Sequence, residues 1–313
     1  MGAQINLTNH ITISTKTNTD ILLQTVGYVD IDDQYIKEIV ERRNIHWIQI
    51  SERLPNEAYP AIDRILEARP DITFRMFGYH DNKPVDISFL KLMPHMHRLQ
   101  IDCIDFRENQ NRIDFSILKE LSMKAFHIEC FDLRDYSFIQ ELSDNLEELL
   151  VMADSLGGSI QFDCRWLLRY KKLHTLWLGK KAKKNLESIE QLPNLKSLSL
   201  RGIKITNFAF LKQLQLEKLA LLWNSNNDLH ELSSLNSLKE IELWRINKLE
   251  DISFIEKLTN LEVIKLQDLK HVNALPDLTR HRGLKNIYLI DTGIDEAILP
   301  QEIQAIIEHW DNR

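Results

Sequence analysis

The chain has 313 residues, 43% of them hydrophobic and 27% charged, with a formal net charge of -7. That hydrophobic content supplies a large core, and the acidic balance argues against nucleic acid as the main partner. No stretch reaches the ~20 apolar residues of a membrane-spanning helix. Three cysteines are too few for a disulfide framework, so the expected setting is the reducing cytoplasm; a monomer with no cofactor is the accompanying expectation.

In chain order, "MGAQIN" lacks the charged-then-apolar pattern of a secretory signal and has Asn6 where a myristoylation signal wants Ser or Thr. The sequon Asn6-Leu7-Thr8 matters only if the protein is secreted, as it would be after removal of a signal peptide. "INLTNHITIST" alternates apolar and polar and predicts an extended N-terminal cap over residues 1–24. "DDQYIKEIVERR" and "NEAYPAIDRILEAR" place Ile36, Ile39 and Val40, then Ile62, Ile65 and Leu66, at helical spacing.

Around these segments one frame recurs: L-x-x-L-x-L with conservative replacements. It stands at Ile45/Ile48/Ile50, Met96/Leu99/Ile101, Met123/Phe126/Ile128, Leu146/Leu149/Val151 and Leu173/Leu176/Leu178. It continues at Leu195/Leu198/Leu200, Leu216/Leu219/Leu221, Leu238/Ile241/Leu243, Leu261/Ile264/Leu266 and Leu284/Ile287/Leu289. A degenerate copy has Phe74 and Met76, and a first copy has Leu23, Val26 and Tyr28. The last apolar residue of each frame is its anchor, and anchors recur every ~21–27 residues, the signature of stacked repeats. In L-x-L both apolar residues point to one side of a short strand. No unit buries that side alone, so the units stack in parallel around one core.

This frame resembles the leucine-rich-repeat family, particularly its short-repeat members such as the internalins and the phosphatase-regulator type, over about residues 20 to 295. The resemblance implies an α/β fold: a right-handed solenoid, horseshoe or curved rod, with a parallel β-sheet on the concave face. Short helices and 3-10 turns fill the convex face, and both ends are capped. The reading gives one solenoid over residues 25–295, with longer helical repeats to about 190 and shorter ones after. One family feature is missing. Asn normally stands three residues after the anchor, and here only Asn224 does, so the turns must satisfy their backbone by other means.

"DISFL" (86–90), "DFSIL" (114–118), "DYSFI" (135–139) and "DISFI" (251–255), with "NFAFL" (207–211) as a variant, each open on Asp or Asn. These read as caps of short convex helices, not as cation ligands. "LPQEIQAIIEHW" carries Ile303, Ile306, Ile307 and Trp310 at helical spacing and predicts a capping helix within residues 296–313.

Functional residues are expected on either side of each anchor, where side chains point away from the core. Leu150, Met152, Trp177, Arg201, Leu222, Trp244 and Tyr288 make that face unusually apolar and aromatic, the composition of a protein interface. The leading reading is a non-enzymatic scaffold holding a protein or peptide on its concave face. One alternative is a metal-dependent or catalytic site at His127, Asp102 and Glu129, on adjacent strands; another is a secreted receptor- or glycan-binding protein. Cys103 and Cys130 are expected to be reduced and unliganded packing residues; the alternative is a disulfide or a metal site joined by Cys164 or His127. Lys180, Lys181, Lys183 and Lys184, helped by Lys171 and Lys172, read as a solvated turn.

Overall fold

The computed structural model of the chain describes residues 9–16, 25–79, 83–154 and 157–308. Two compact units are present, Met1–Phe162 and Asp163–Arg313. The first holds strands β1 (His10–Ser14), β2 (Thr25–Gly27), β3 (Trp47–Ile50), β4 (Thr73–Phe77), β5 (Arg98–Asp105), β6 (Ala125–Phe131) and β7 (Glu148–Asp154). They lie in the order β2-β1-β3-β4-β5-β6-β7, all parallel. The second holds β8 (Thr175–Lys180), β9 (Ser197–Arg201), β10 (Lys218–Leu222), β11 (Glu240–Trp244), β12 (Val263–Gln267), β13 (Asn286–Ile290) and β14 (Ile307–Glu308). These run in sequence order, again parallel.

The register follows the repeat. Leu176, Leu198, Leu219, Ile241, Ile264 and Ile287 are successive register partners, as are Leu178, Leu200, Leu221, Leu243, Leu266 and Leu289. In the first unit Ile50, Met76, Ile101, Ile128 and Val151 form the matching column. All these side chains are buried, and each contributes roughly 1.5–3 kcal/mol by leaving water.

The N-terminal strand does more than cap. β1 pairs with β3, while β2 lies on the other side of β1. Of the first copy, Val26 lies in β2 and Tyr28 opens a 3-10 turn; Leu23, like the sequon at residues 6–8, falls outside the described residues.

Helices α1 (Asp33–Glu41) and α2 (Tyr59–Ala68) occupy the expected positions and bury Ile36 and Ile39, and Ile62, Ile65 and Leu66. Asp32 caps α1 by accepting the Tyr35 N–H at 2.8 Å. Beyond α2 the return paths to residue 190 are 3-10 turns, not helices, as at Phe115–Glu120 and Leu186–Gln191. Some of the extra length of the earlier repeats extends strands instead: β5 has eight residues and β6 and β7 seven, against five in β9 to β13. The D-x-S segments act as caps. Asp86, Asp114, Asp135 and Asp251 each accept the backbone N–H of the serine two residues on, at 2.7–2.9 Å. Asn207 does the same for Ala209.

Turns lacking the Asn ladder are satisfied by the backbone itself. The residue two after the anchor sits in the left-handed region in repeat after repeat: Gly78, Cys103, Lys180, Gly202, Trp223, Arg245, Asp268 and Asp291. That bend aims its N–H along the stack. Gly202, Trp223, Arg245 and Asp268 donate to the carbonyls of Leu222, Trp244, Gln267 and Ile290 at 2.7–2.9 Å. The next residue then turns inward, so Ile203, Ile246 and Leu269 are core residues. Asn224, three residues after its anchor, donates from Nδ2 to the Ile203 carbonyl at 2.9 Å.

The C-terminal end departs from expectation. The helix is one turn, α3 (Gln301–Gln304), and the chain then enters β14, where Ile307 and Glu308 pair with Ile287 and Tyr288. The edge of β13 presents unpaired backbone groups, and the Ile287 N–H donates to the Ile306 carbonyl at 2.9 Å. A longer helix would have left that edge open. Ile303 therefore lies in the helical turn, Ile306 in the bend after it and Ile307 in the strand; Trp310 lies outside the described residues.

Candidate functional site

Side chains one before and one after each anchor stand on the face opposite the core, in two rows per unit. In the first unit the polar side chains of this face are tightly bonded. Arg75 donates from Nε to Asp102 Oδ2 at 2.9 Å and pairs with the same oxygen through Nη2. Gln100 donates to Asp102 and accepts from the Trp47 indole at 3.1 Å, while Gln49 donates to Thr12. The Arg75 guanidinium lies 4.3 Å over the Phe77 ring. Asp102, 3% exposed, is thus a buried carboxylate spent on Arg75 and Gln100.

That arrangement breaks up the catalytic or metal-dependent alternative. His127 Nε2 faces Glu148 at 4.0 Å, and Glu148 is already paired with Arg98. Burial pushes the His127 imidazole down to about 4, with Arg98 adding to the shift and Glu148 opposing it. Glu129 is exposed beside Asp102 in register. His127, Asp102 and Glu129 do not converge, and among the described residues no group of three His, Cys, Asp or Glu side chains is placed to hold a metal ion. The alternation that put all three on one face was right, but ion pairing to Arg75 and Arg98 had priority. Cys103, Cys130 and Cys164 are unbridged. Burial, helped by Asp102, pushes the Cys103 thiol up to about 12, and burial raises Cys130 as well.

Of the expected binding residues in the first unit, Leu150 is half-buried and Met152 is buried. In the second unit the rows read Trp177, Ser199, Ala220, Glu242, Lys265, Tyr288 and Gly179, Arg201, Leu222, Trp244, Gln267, Ile290. Trp177, Arg201, Trp244 and Tyr288 are half-buried, each presenting part of its surface. Leu222 is only 7% exposed, because it sits in register between the longer Arg201 and Trp244. Met152 and Leu222 stand on this face with little of their surface exposed.

One cluster stands out. The Trp223 indole, 37% exposed, has the Arg201 guanidinium 4.1 Å over its ring and the Arg245 guanidinium at 5.1 Å. Trp244 meets it edge-on at 5.8 Å. Trp244 is held by donating its indole N–H to Asp268 Oδ2 at 2.9 Å, and Arg245 donates to the same oxygen from Nε and Nη2. The bond from Trp244 leads the causes that hold the Asp268 carboxyl below its usual range, with Arg245 reinforcing it. Trp223, Arg245 and Asp268 escape a reading confined to the strand face, because they occupy the left-handed turn two residues past the anchor. The signal was present as three bulky or charged residues at the same offset in adjacent repeats. The lysine turn lies at that rim as well; Lys184 reaches Asp163 at 3.7 Å.

No protein-family model matches the sequence, and no curated protein matches it either. Solved structures do resemble it. An internalin of Listeria monocytogenes superposes with a TM-score of 0.52 at 19% identity, over 86% of this chain and 82% of that one. A leucine-rich-repeat protein of Leptospira interrogans gives 0.47 at 18% identity, over 88% and 79%. Internalin C2 of Listeria monocytogenes gives 0.39 at 17%, over 84% and 92%. No helix among the described residues is long and apolar enough to cross a membrane. Repeat, strand topology and structural likeness agree on one fold, that of a leucine-rich-repeat protein.

Proposed function

We propose that the chain is a non-enzymatic scaffold, acting as a monomer, that holds a protein or peptide partner on the sheet face opposite the core, the concave face of the repeat. The observation that carries this reading is the run of half-buried Trp177, Arg201, Trp244 and Tyr288 on the second unit. Partly exposed Trp, Tyr and Arg are the side chains enriched at the hot spots of protein interfaces. The cytoplasm is the proposed setting, where three unbridged cysteines stay reduced.

The test starts from a partner recovered from the source organism and its affinity for Trp177→Ala and Trp244→Ala. Each variant should melt within a few degrees of wild type, because neither residue belongs to the shared core. Each should bind ~30- to 1000-fold more weakly, the usual cost of truncating a central tryptophan. Undiminished binding by both variants would move the interface off this face.

A further inference from the structure

We propose that Glu242 is the seat for a lysine or arginine side chain of the protein partner, with the Trp244 ring taking the stem of that side chain. The inference rests on the reading that the second unit binds protein on its sheet face, and it adds the chemistry that the partner presents there.

Three observations carry it. The first is a carboxylate left without a partner. Glu240 takes both neighbouring lysines, Lys265 at 2.6 Å and Lys218 at 3.1 Å. Glu242 stands two residues on along β11, half-buried on the same face. It forms no hydrogen bond or ion pair among the described residues. Burial holds its carboxyl above the usual range, with Lys265 opposing the shift and Glu240 adding to it. On the first unit's face the corresponding charges are spent on one another, Arg75 on Asp102 and Arg98 on Glu148. An unpaired carboxylate partly out of water favours an arriving cation.

The second observation is room. Glu242 is in register with Ala220, and Ala220 with Ser199. These short side chains leave the row open on that flank, while Lys265 on the other flank is turned to Glu240.

The third is the ring beside the charge. Trp244 follows Glu242 on the same face, roughly 7 Å along the strand, and its indole N–H is fixed on Asp268 at 2.9 Å. Lysine and arginine pair an apolar stem with a charged head, and both heads are attracted to aromatic faces. The chain uses the same combination next door, where Lys265 is bonded to Glu240 with its ammonium 5.9 Å from the Tyr288 ring. An apolar side chain over Glu242 would bury the charge uncompensated, and an acidic one would add a third carboxylate.

The experiment selects a random displayed-peptide library on the immobilised full chain and measures the enriched peptides by fluorescence anisotropy. Enriched peptides should carry Lys or Arg, and should weaken roughly tenfold or more when that residue becomes Gln. Glu242→Gln and Trp244→Ala should each weaken them, and Glu242→Lys should turn the selection toward Asp or Glu. Glu242→Gln should keep or raise the melting temperature, because the charge it removes has no partner in the fold. Glu262→Gln, at a carboxylate already bonded to Lys285, controls for general attraction of basic peptides to an acidic chain and should leave affinity unchanged.

Four results overturn the proposal: enriched peptides without Lys or Arg, binding indifferent to Glu242→Gln, equal losses on Glu242→Gln and Glu262→Gln, or no enrichment at all. Peptides lost on Trp177→Ala and Trp244→Ala but kept on Glu242→Gln would refute the basic seat and leave the sheet-face reading standing. A natural partner that keeps its affinity on Trp177→Ala but loses it on Glu242→Gln would keep the seat and remove Trp177 from the interface.

Discussion

His127 shows how an individual residue can look functional in a sequence and prove structural in the fold. Its imidazole is pushed down to about 4 by burial, with Arg98 adding to the shift and Glu148 opposing it, whereas an unfolded histidine titrates near 6.5. The folded-state value is depressed, so the neutral form belongs to the fold. This contribution to stability is fully present above about pH 6.5 and is lost as pH falls through about 4. In urea titrations the stability difference between wild type and His127→Gln should therefore depend on pH between about 6.5 and 4, by on the order of 2–3 kcal/mol. A difference that stays flat across that window would mean that His127 is solvated. Asp102, by contrast, was legible only as an exposed acid. Its role as the buried partner of Arg75 depends on a contact between residues 27 positions apart, which no local pattern announces.

Among elements, the strands were almost fully legible and their connections were not. The anchors from Ile50 to Val151 and from Leu178 to Leu289 fall in register because the period of two in each strand forces both apolar residues of L-x-L to one side. Connections obey weaker rules. The stripe of Ile303, Ile306 and Ile307 satisfies helical spacing, yet pairing with the open edge of β13 recruits Ile307 into β14. The turns showed only that Asn was missing, not that a left-handed residue would donate its own N–H along the stack. Since register rests on the buried columns, Ile241→Ala and Ile264→Ala should each cost ~2–5 kcal/mol in chemical denaturation. Both side chains are fully buried and are register partners, so the double variant should deviate from additivity. Unchanged midpoints for both single variants would refute the register.

For the molecule as a whole, surface charge and buried apolar side chains contribute unequally to stability. The ion pairs at the start of β9 to β13 link exposed side chains: Lys239 with Glu217 at 2.7 Å and Lys196 with Glu217 at 3.8 Å. Exposed pairs of this kind add little stability, because water and salt screen them. The buried columns of leucine and isoleucine carry the fold, and they are indifferent to moderate salt. Raising ionic strength from about 0.01 to 1 M shortens the screening length from about 30 to 3 Å. Across that range the melting temperature, read by calorimetry, should shift by no more than a few degrees. A much larger fall would mean that the exposed pairs, and not the buried columns, carry the fold.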